Sequence, residues 1–589
     1  MANKIRSLYS VDSEDLVGSP LKRFFRLIDS EKKEVILIYI YAIFNGLIHL
    51  SLPLGIQAII ATISSSVGSD LPSSWVILVG IVLVGISLSG VTQVMQLIIS
   101  ESIQQRLFAR ATFEMAFRVP RMKMEALLKY YPPELMNRFF DITTVQKGLS
   151  KILIDFSTSI LQILFGLILL AFYDSSFIFF GIFIIVIIFL IIRYSGPKGL
   201  QTSISESRYK YETAHWIEEI ARAMGIYKLA GYTKMPFERT DYLVSNYLTE
   251  RKKHFKILLN QYISVIGFKV MISCGLLILG SVLMVNQKIT IGQFVASEIV
   301  IITIVSSVEK LILTFETIYD VLTALEKLGN VTDLPIESEE GVNFEEIDTG
   351  EGVKIELKNV SYRFPDSERE TIKDISFTIN PREKVCISGF SGAGKSTLLN
   401  IISTILHNYS GVVTFNDYSL KNLNLFSLRS FAGESLSNKE LINGSIEENI
   451  SMGRDDISFQ DVKRAAKYIG LDDYIKQLTL GYNTIIVPGD LTVPRSVVNK
   501  ITIARSIAEN PRFFVLDDVL INMQREDKDR IIDFFTGEDK PWSLIVATND
   551  AKFASQCDKI IVLNDGKIED VGAFMEISQR PYFDNIFLM

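Results

Sequence analysis

The residues best suited to chemistry stand at Gly389-Phe-Ser-Gly-Ala-Gly-Lys-Ser-Thr397, a match to G-x-x-x-x-G-K-[ST]. Gly389, Gly392 and Gly394 let successive backbone N–H groups close around phosphate oxygens, and Ser391, Ala393 and Thr397 complete the run. Lys395 reaches the outer phosphates, and the Ser396 hydroxyl suits Mg²⁺, a hard cation that takes oxygen ligands. A second element is Arg512-Phe-Phe-Val-Leu-Asp-Asp518. A buried strand ending in Asp517 delivers a carboxylate to the Mg²⁺ hydration shell, and Asp518 stands where a water-activating base would sit.

The elements around these residues are ordered to position them. The apolar run Lys384-Val-Cys-Ile-Ser388 reads as a buried strand, and Leu398-Leu-Asn-Ile-Ile402 as the start of a helix. Strand, loop and helix in that order set an anion against a helix N-terminus. Ser543-Leu-Ile-Val-Ala547 reads as a further buried strand.

At 589 residues the chain exceeds one core, so at least two domains are expected. Its net charge of −7, with acidic and basic residues mixed, points to no nucleic-acid partner. Cys274, Cys386 and Cys557 lie far apart and fit neither a disulfide framework nor a zinc site. No cleavable leader is expected, because the first apolar run is long and follows more than thirty mostly polar residues. Six apolar segments are read as membrane helices: Val35–Ile60, Trp75–Ile99, Phe156–Tyr173, Phe177–Ile192, Tyr262–Val285 and Ile291–Phe315. The fourth is short and extends past Arg193.

Basic residues orient the segments. Ala61–Ser74 and Asp174-Ser-Ser176 hold no Lys or Arg, and Asn286–Thr290 only Lys288. The connection between helices two and three carries Arg106, Arg110, Arg118, Arg121, Lys123, Lys129 and Arg138, and the one between four and five is basic as well. Both long connections and both termini are therefore expected on the cytoplasmic side. Each connection looks helical, suited to passing motion to another domain. Val331–Gly352, rich in Asp and Glu, reads as a linker, and Val353-Lys-Ile-Glu-Leu357 as the first strand of the domain that follows. The expected architecture is an all-α six-helix membrane domain over residues 1–330, a linker over 331–352 and an α/β P-loop nucleotide-binding domain over 353–589.

Taken together, the six helices, the two long connections and the C-terminal domain resemble a half-transporter of the ABC exporter superfamily over essentially the whole chain. Glu134-Leu-Met-Asn-Arg138 with Asp141, Met224-Gly-Ile-Tyr-Lys-Leu-Ala-Gly231 and Ile289-Thr-Ile-Gly-Gln293 carry the likeness in the membrane half. Ser51-Leu-Pro-Leu-Gly-Ile-Gln57 is similar to helix one of type I secretion and bacteriocin exporters, without room for their peptidase domain.

The resemblance implies ATP and Mg²⁺ as cofactors, the latter held by Ser396 and Asp517. In Val360-Ser-Tyr-Arg-Phe-Pro365 it makes Phe364 the adenine-stacking ring, with a core aromatic as the alternative. Elsewhere the chain departs from the pattern. Ser437 stands where the family has a Mg²⁺- and water-contacting Gln. Val493-Pro-Arg-Ser-Val497 replaces the signature L-S-G-G-Q. Pro494 removes a hydroxyl and an N–H, while Arg495 adds bulk, or else pairs with a phosphate itself; Ser496 and Val497 close the run. Asp518 replaces the catalytic Glu, about 1.5 Å short, and Thr548 replaces the switch His. Four altered elements beside an intact loop imply ATP binding with weak or absent hydrolysis.

By the same resemblance the chain is one half of a dimer in the inner membrane, in contact with lipid. A second half-transporter as a heterodimer is favoured over a homodimer, and a periplasmic adaptor is a further partner. Peptide or protein cargo follows from the helix-one resemblance only, with lipid or a small amphiphile close behind. The alternative is a non-hydrolysing regulatory or assembly membrane protein that uses ATP as a structural ligand. His49 and Glu298 are substrate-path candidates; Lys269 is another intramembrane charge, with snorkelling as its bland reading.

Overall fold

The computed structural model describes residues 19–65, 74–365, 367–436, 440–489 and 492–587. These form two compact units. The first holds the described residues up to Pro120 together with Tyr130–Leu334, and the second Arg121–Lys129 together with Pro335 onward.

In the first unit, α1 (Pro20–Ser30) precedes α2 (Lys32–His49) and α3 (Ser51–Ser65). Sequence reading gave α2 and α3 as one span. They do form one span, Lys32–Ser65, broken only at Leu50, because Pro53 has no N–H to give and its ring meets the carbonyl of the preceding turn. Then follow α4 (Ser74–Arg118), α5 (Asp141–Lys151), α6 (Ser157–Tyr173), α7 (Ser176–Arg222), α8 (Met235–Val285) and α9 (Ile291–Thr332). Six of the described helical stretches are long and apolar enough to cross a membrane. The fourth runs well past Arg193, and α4, α7, α8 and α9 all extend far beyond their apolar parts.

α9 opens on a capping box. The Gln293 N–H donates to Thr290 Oγ1 at 3.2 Å, and the Thr290 N–H donates to Gln293 Oε1 at 2.8 Å. It is the most buried of the six spans, packing Val300, Ile301, Ile304 and Val308 against Leu170, Ile272 and Leu276. α7 presents Ile178, Phe179, Ile182, Ile185, Phe189 and Leu190 outward, the surface of a helix set in hydrocarbon. α1 was not foreseen. Its Arg23 guanidinium donates to Asp333 at 2.6 Å and to the Leu325 carbonyl at 3.3 Å.

The second unit is built on a six-stranded sheet: β1 (Lys384–Gly389), β2 (Ala432–Ser435), β3 (Phe513–Asp517), β4 (Ser543–Ala547), β5 (Lys559–Asn564) and β6 (Lys567–Gly572). The spatial order is β6-β5-β1-β4-β3-β2, parallel except for β6. Alternation along each strand feeds two cores. Cys386, Phe514 and Leu516 point into one, and Val385, Ile387, Phe513 and Val515 into the other. Burial on both faces explains why these strands read as continuous apolar runs. A four-stranded antiparallel sheet, centred on Ile355–Tyr362, adjoins the second core.

Candidate nucleotide site

Three of the central strands deliver their carboxyl ends to one place, where open parallel sheets bind ligands. β1 ends in Gly389, β3 in Asp517, and β4 runs into Thr548. Pairing of Ala547 with Asp517 and of Ala547 with Ile387 holds the three ends level. α10 (Lys395–Ile402) starts at the loop, with Gly394 as its N-cap at φ 102°. Gly389 has φ 148°, and a Cβ there would lie 2.1 Å from the Leu563 carbonyl oxygen. No other residue fits that position.

Lys395 Nζ lies inside the loop and donates to the carbonyls of Gly389 at 2.8 Å and Phe390 at 3.1 Å. Burial pulls its pKa below the usual lysine value, while the Asp518 and Asp517 carboxylates oppose that pull. Ser396 is exposed in the first turn of α10, and the Asp517 side chain is buried. A hydroxyl and a carboxylate beside a concave loop are the donor set a Mg²⁺ ion takes, so the residues fit that cofactor. Asp518 adopts φ 45°, a left-handed conformation that Asp tolerates better than most side chains. Its N–H donates to the Ala547 carbonyl at 3.0 Å.

Thr548 is buried. Its Oγ1 accepts the Asp550 N–H at 3.1 Å within a turn. Phe364 packs against the second core, and the Tyr362 ring meets it edge-on with centroids 5.0 Å apart. Pro494 is the N-cap of α11 (Arg495–Ala508) and makes no side-chain capping bond. Arg495 is exposed, Ser496 half-buried, and Val497 is anchored in the first core beside partly buried Val493. Ser437 lies outside the described residues. A cavity of about 780 Å³ opens beside the strand ends, lined by Asp518, Ile521, Arg525, Thr548, Asn549 and Asp550.

Two features escaped the sequence reading. Asn549 ties the loop to β4: its Oδ1 accepts Ser388 Oγ at 2.8 Å and the Gly389 N–H at 3.3 Å, while its Nδ2 donates to the Gly389 carbonyl at 3.1 Å. Its position one residue after Thr548 was the available signal. The segment that follows α10 is also gripped by carboxylates. Glu337 receives both Arg429 amino groups, at 2.6 and 2.8 Å, and lies 3.1 Å from His407 Nε2. Glu125, on the short helix Met124–Leu127, accepts the backbone N–H groups of His407 and Asn408.

The path candidates sit in the first unit. His49 lines a niche of about 10 Å³ with Gly46, Pro53, Gln162 and Thr303, too tight for more than one water. Glu298 is half-exposed on α9, outside that niche. The Lys269 ammonium pairs with Glu309 of α9.

Residues 372–520 match the family model of the ABC transporter, and residues 35–308 match that of the ABC transporter transmembrane region. The chain belongs to the ABC transporter family. The transporter carries both domains in one polypeptide and is a multi-pass membrane protein. It is 26% identical to an ATP-dependent lipid A-core flippase of Legionella pneumophila (strain Paris) over 393 residues, 66% of this chain and 65% of the flippase. To the alpha-hemolysin translocation ATP-binding protein HlyB of Escherichia coli O157:H7 it is 27% identical over 302 residues, 51% of this chain and 42% of HlyB. The matched part thus spans less than two thirds of either relative. The fold is that of a bacterial Atm1-family ABC exporter solved with ATP bound: TM-score 0.80 at 17% identity, covering 94% of this chain and 97% of that one.

Proposed function

We propose that the transporter is the ATP-binding and permease subunit of an exporter, working as half of a dimer in the cytoplasmic membrane. Both long connections and both termini then lie on the cytoplasmic side, as the distribution of Lys and Arg requires. ATP is held by the loop around Lys395 with Mg²⁺ on Ser396 and Asp517, and Phe364 takes the adenine. Hydrolysis by two copies of this chain is weak or absent. The observation that carries this reading is the contrast between the phosphate loop and the elements that should act with it. The phosphate loop is braced by Asn549, whereas Thr548 puts a hydroxyl and no imidazole at the end of β4, and α11 begins at Pro494 with no side-chain capping bond.

A second chain is supported by the exposed apolar run on and after the short helix Met224–Leu229. Ile226, Leu229, Tyr232 and Phe237 stand open to solvent, Leu229 and Tyr232 at 92%. Contiguous apolar surface of this kind marks a contact. A heterodimer with a partner of more complete motifs is favoured. One composite site would still use Val493–Val497 of this chain and the other its Asp518 and Thr548.

The competing reading is a regulatory or assembly protein that binds ATP without turnover. ATPase measurements on the purified chain, alone and with the product of a neighbouring gene, separate the two. Turnover by the pair that Lys395→Ala of this chain reduces supports the exporter. Absence of turnover in every combination, with ATP still protecting the chain from unfolding, overturns it.

A further inference from the structure

α1 has two edges with different neighbours. At roughly 100° per residue its apolar side chains fall on one arc about 160° wide, in the order Leu27, Phe24, Ile28, Leu21, Phe25. Half of that arc is packed. Phe24, Leu27 and Ile28 lie against Val35 and Ile38 of α2 and Ile103 and Leu107 of α4. The other half is open, with Leu21 51% and Phe25 64% exposed. Val35 and Ile38 belong to the first turns of the span that α2 opens, so α1 lies level with the edge of the hydrocarbon. At the neighbouring depth α2 exposes Ile36, Leu37, Tyr39 and Ile40, as a lipid-facing helix does.

Cations stand beside the open apolar edge. Lys22, Lys32 and Lys33 are exposed, and Asp29 is the one acid of α1. Glu31 and Glu34, at the junction with α2, are taken up by Arg106 and Arg110 of α4 at 2.7 to 3.3 Å. Apolar side chains along one edge of a helix with lysines next to them suit the headgroup region of an anionic bilayer.

The opposite edge holds the end of α9. Arg23 lies about 160° round the helix from Phe25. Its guanidinium donates to Asp333 at 2.6 Å, and to Glu326 and the Leu325 carbonyl at 3.3 Å. Gly329 makes the room, since a Cβ there would overlap that guanidinium. One helix of about three turns thus meets the bilayer edge on one side and the last turns of α9 on the other.

We infer that α1 senses anionic lipid: Leu21, Phe25, Lys22, Lys32 and Lys33 dock on anionic headgroups of the cytoplasmic leaflet, and Arg23 passes that contact to the end of α9. The leaflet rests on the orientation proposed above; the lipid contact does not. Each lysine near a charged surface multiplies lipid association about fivefold, so the three together contribute on the order of 10².

The test uses the full chain with Cys274→Ala, and with Phe25→Cys carrying an environment-sensitive nitrobenzoxadiazole dye. It is placed in vesicles of phosphatidylcholine, alone or with about one third phosphatidylglycerol. The anionic vesicles should shift the dye emission to the blue and reduce its quenching by neutral acrylamide at least about threefold. Lys22→Gln/Lys32→Gln/Lys33→Gln should remove the difference between the two vesicles, as should high salt. Amide exchange over residues 326–332 should slow about threefold in the anionic vesicles. Arg23→Gln should abolish that slowing and leave the dye response in place. Equal quenching in both vesicles would overturn the lipid docking. A dye response with no change at the end of α9 would overturn the role given to Arg23. Orientation is read separately, with a membrane-impermeant maleimide and Asp29→Cys in the same Cys274→Ala chain. Labelling in inside-out membranes and not in intact cells is expected; the reverse would overturn the orientation and the leaflet, whatever the dye shows.

Discussion

Asn549 closes on Gly389 from both sides, accepting its N–H at 3.3 Å and donating to its carbonyl at 3.1 Å. The same carbonyl receives Lys395 Nζ at 2.8 Å. One backbone unit is thereby shared by the strand that enters the phosphate loop, the lysine that leaves it and the residue after Thr548. Removing the amide frees Gly389 at the entry to the loop while leaving the Lys395 and Ser396 side chains unaltered. Asn549→Ala should weaken ATP binding about 10-fold, the equivalent of one or two lost hydrogen bonds at ~1 kcal/mol each. Asn549→Asp should weaken it further, since its carboxylate has no N–H for the carbonyl and adds negative charge near the phosphates. Titration with a fluorescent ATP analogue measures both, and unchanged affinity in both variants would show the brace to be idle.

A graded response is expected when the altered elements are restored. Asp518→Glu moves the carboxylate outward by about 1.5 Å, and a misplacement of about 1 Å is worth on the order of 10² in rate. That gain should stay below tenfold while Pro494 and Arg495 remain at the start of α11, because the opposing face of the site still lacks its grip. Adding Thr548→His, Pro494→Ser and Arg495→Gly should release the rest, a further factor of about 10 or more. Phosphate release by the purified chain is the readout. Full activity from Asp518→Glu alone would locate the whole defect in that one side chain.

The sequence made the membrane spans and the parallel strands legible for the same reason. Each is buried or lipid-facing all round, so composition alone marks it. It also placed Lys395, Asp517 and Thr548, because their spacing is tied to strand ends. What it concealed depends on partners distant in the chain. Asn549 is unremarkable until β1 and β4 are paired. Glu337 sits in an acidic stretch that reads as a solvated linker, yet it is buried against Arg429 and His407. α1 is too short and too basic to register as a span. The division between α2 and α3 turned on one proline inside an apolar run.

The Glu337–Arg429 contact gives a stability prediction with a definite pH window. Burial alone would raise the Glu337 pKa. Hydrogen bonds from His407 and Arg429, and the Arg429 charge, overcome this and bring it down to about 2. A carboxyl depressed in the fold stabilises at pH above its unfolded value of about 4.3 and loses that contribution as pH falls toward 2. The contribution is on the order of 3 kcal/mol. Glu337→Gln should therefore lower the unfolding midpoint of the nucleotide-binding unit at pH 7, and the difference from the unmutated chain should shrink below pH 4. A pH-independent difference would assign the effect to packing instead of charge.

The last prediction concerns the crossing of α5 and α9. A Cβ on Gly148 would lie 2.2 Å from Val321 Cγ2 and 3.3 Å from Thr317 Cγ2. Val321 is fully buried and β-branched, so it has little rotamer freedom with which to move aside. Two effects oppose each other in Gly148→Ala. Helix propensity favours Ala by about 1 kcal/mol, whereas overpacking a filled core costs about 1–3 kcal/mol. A separation of 2.2 Å is far inside contact distance, so the steric term wins and Gly148→Ala should destabilise the membrane unit by roughly 1–2 kcal/mol. Val321→Ala alone should also destabilise, by opening a void. Together the two changes should cost less than their sum by at least about 1 kcal/mol, because the new methyl fills the space the valine vacated. Thermal unfolding in detergent of the two single variants and the double variant closes the cycle. Simple additivity would mean that α5 and α9 move apart to absorb the methyl, and that the close crossing at Gly148 is not enforced by packing.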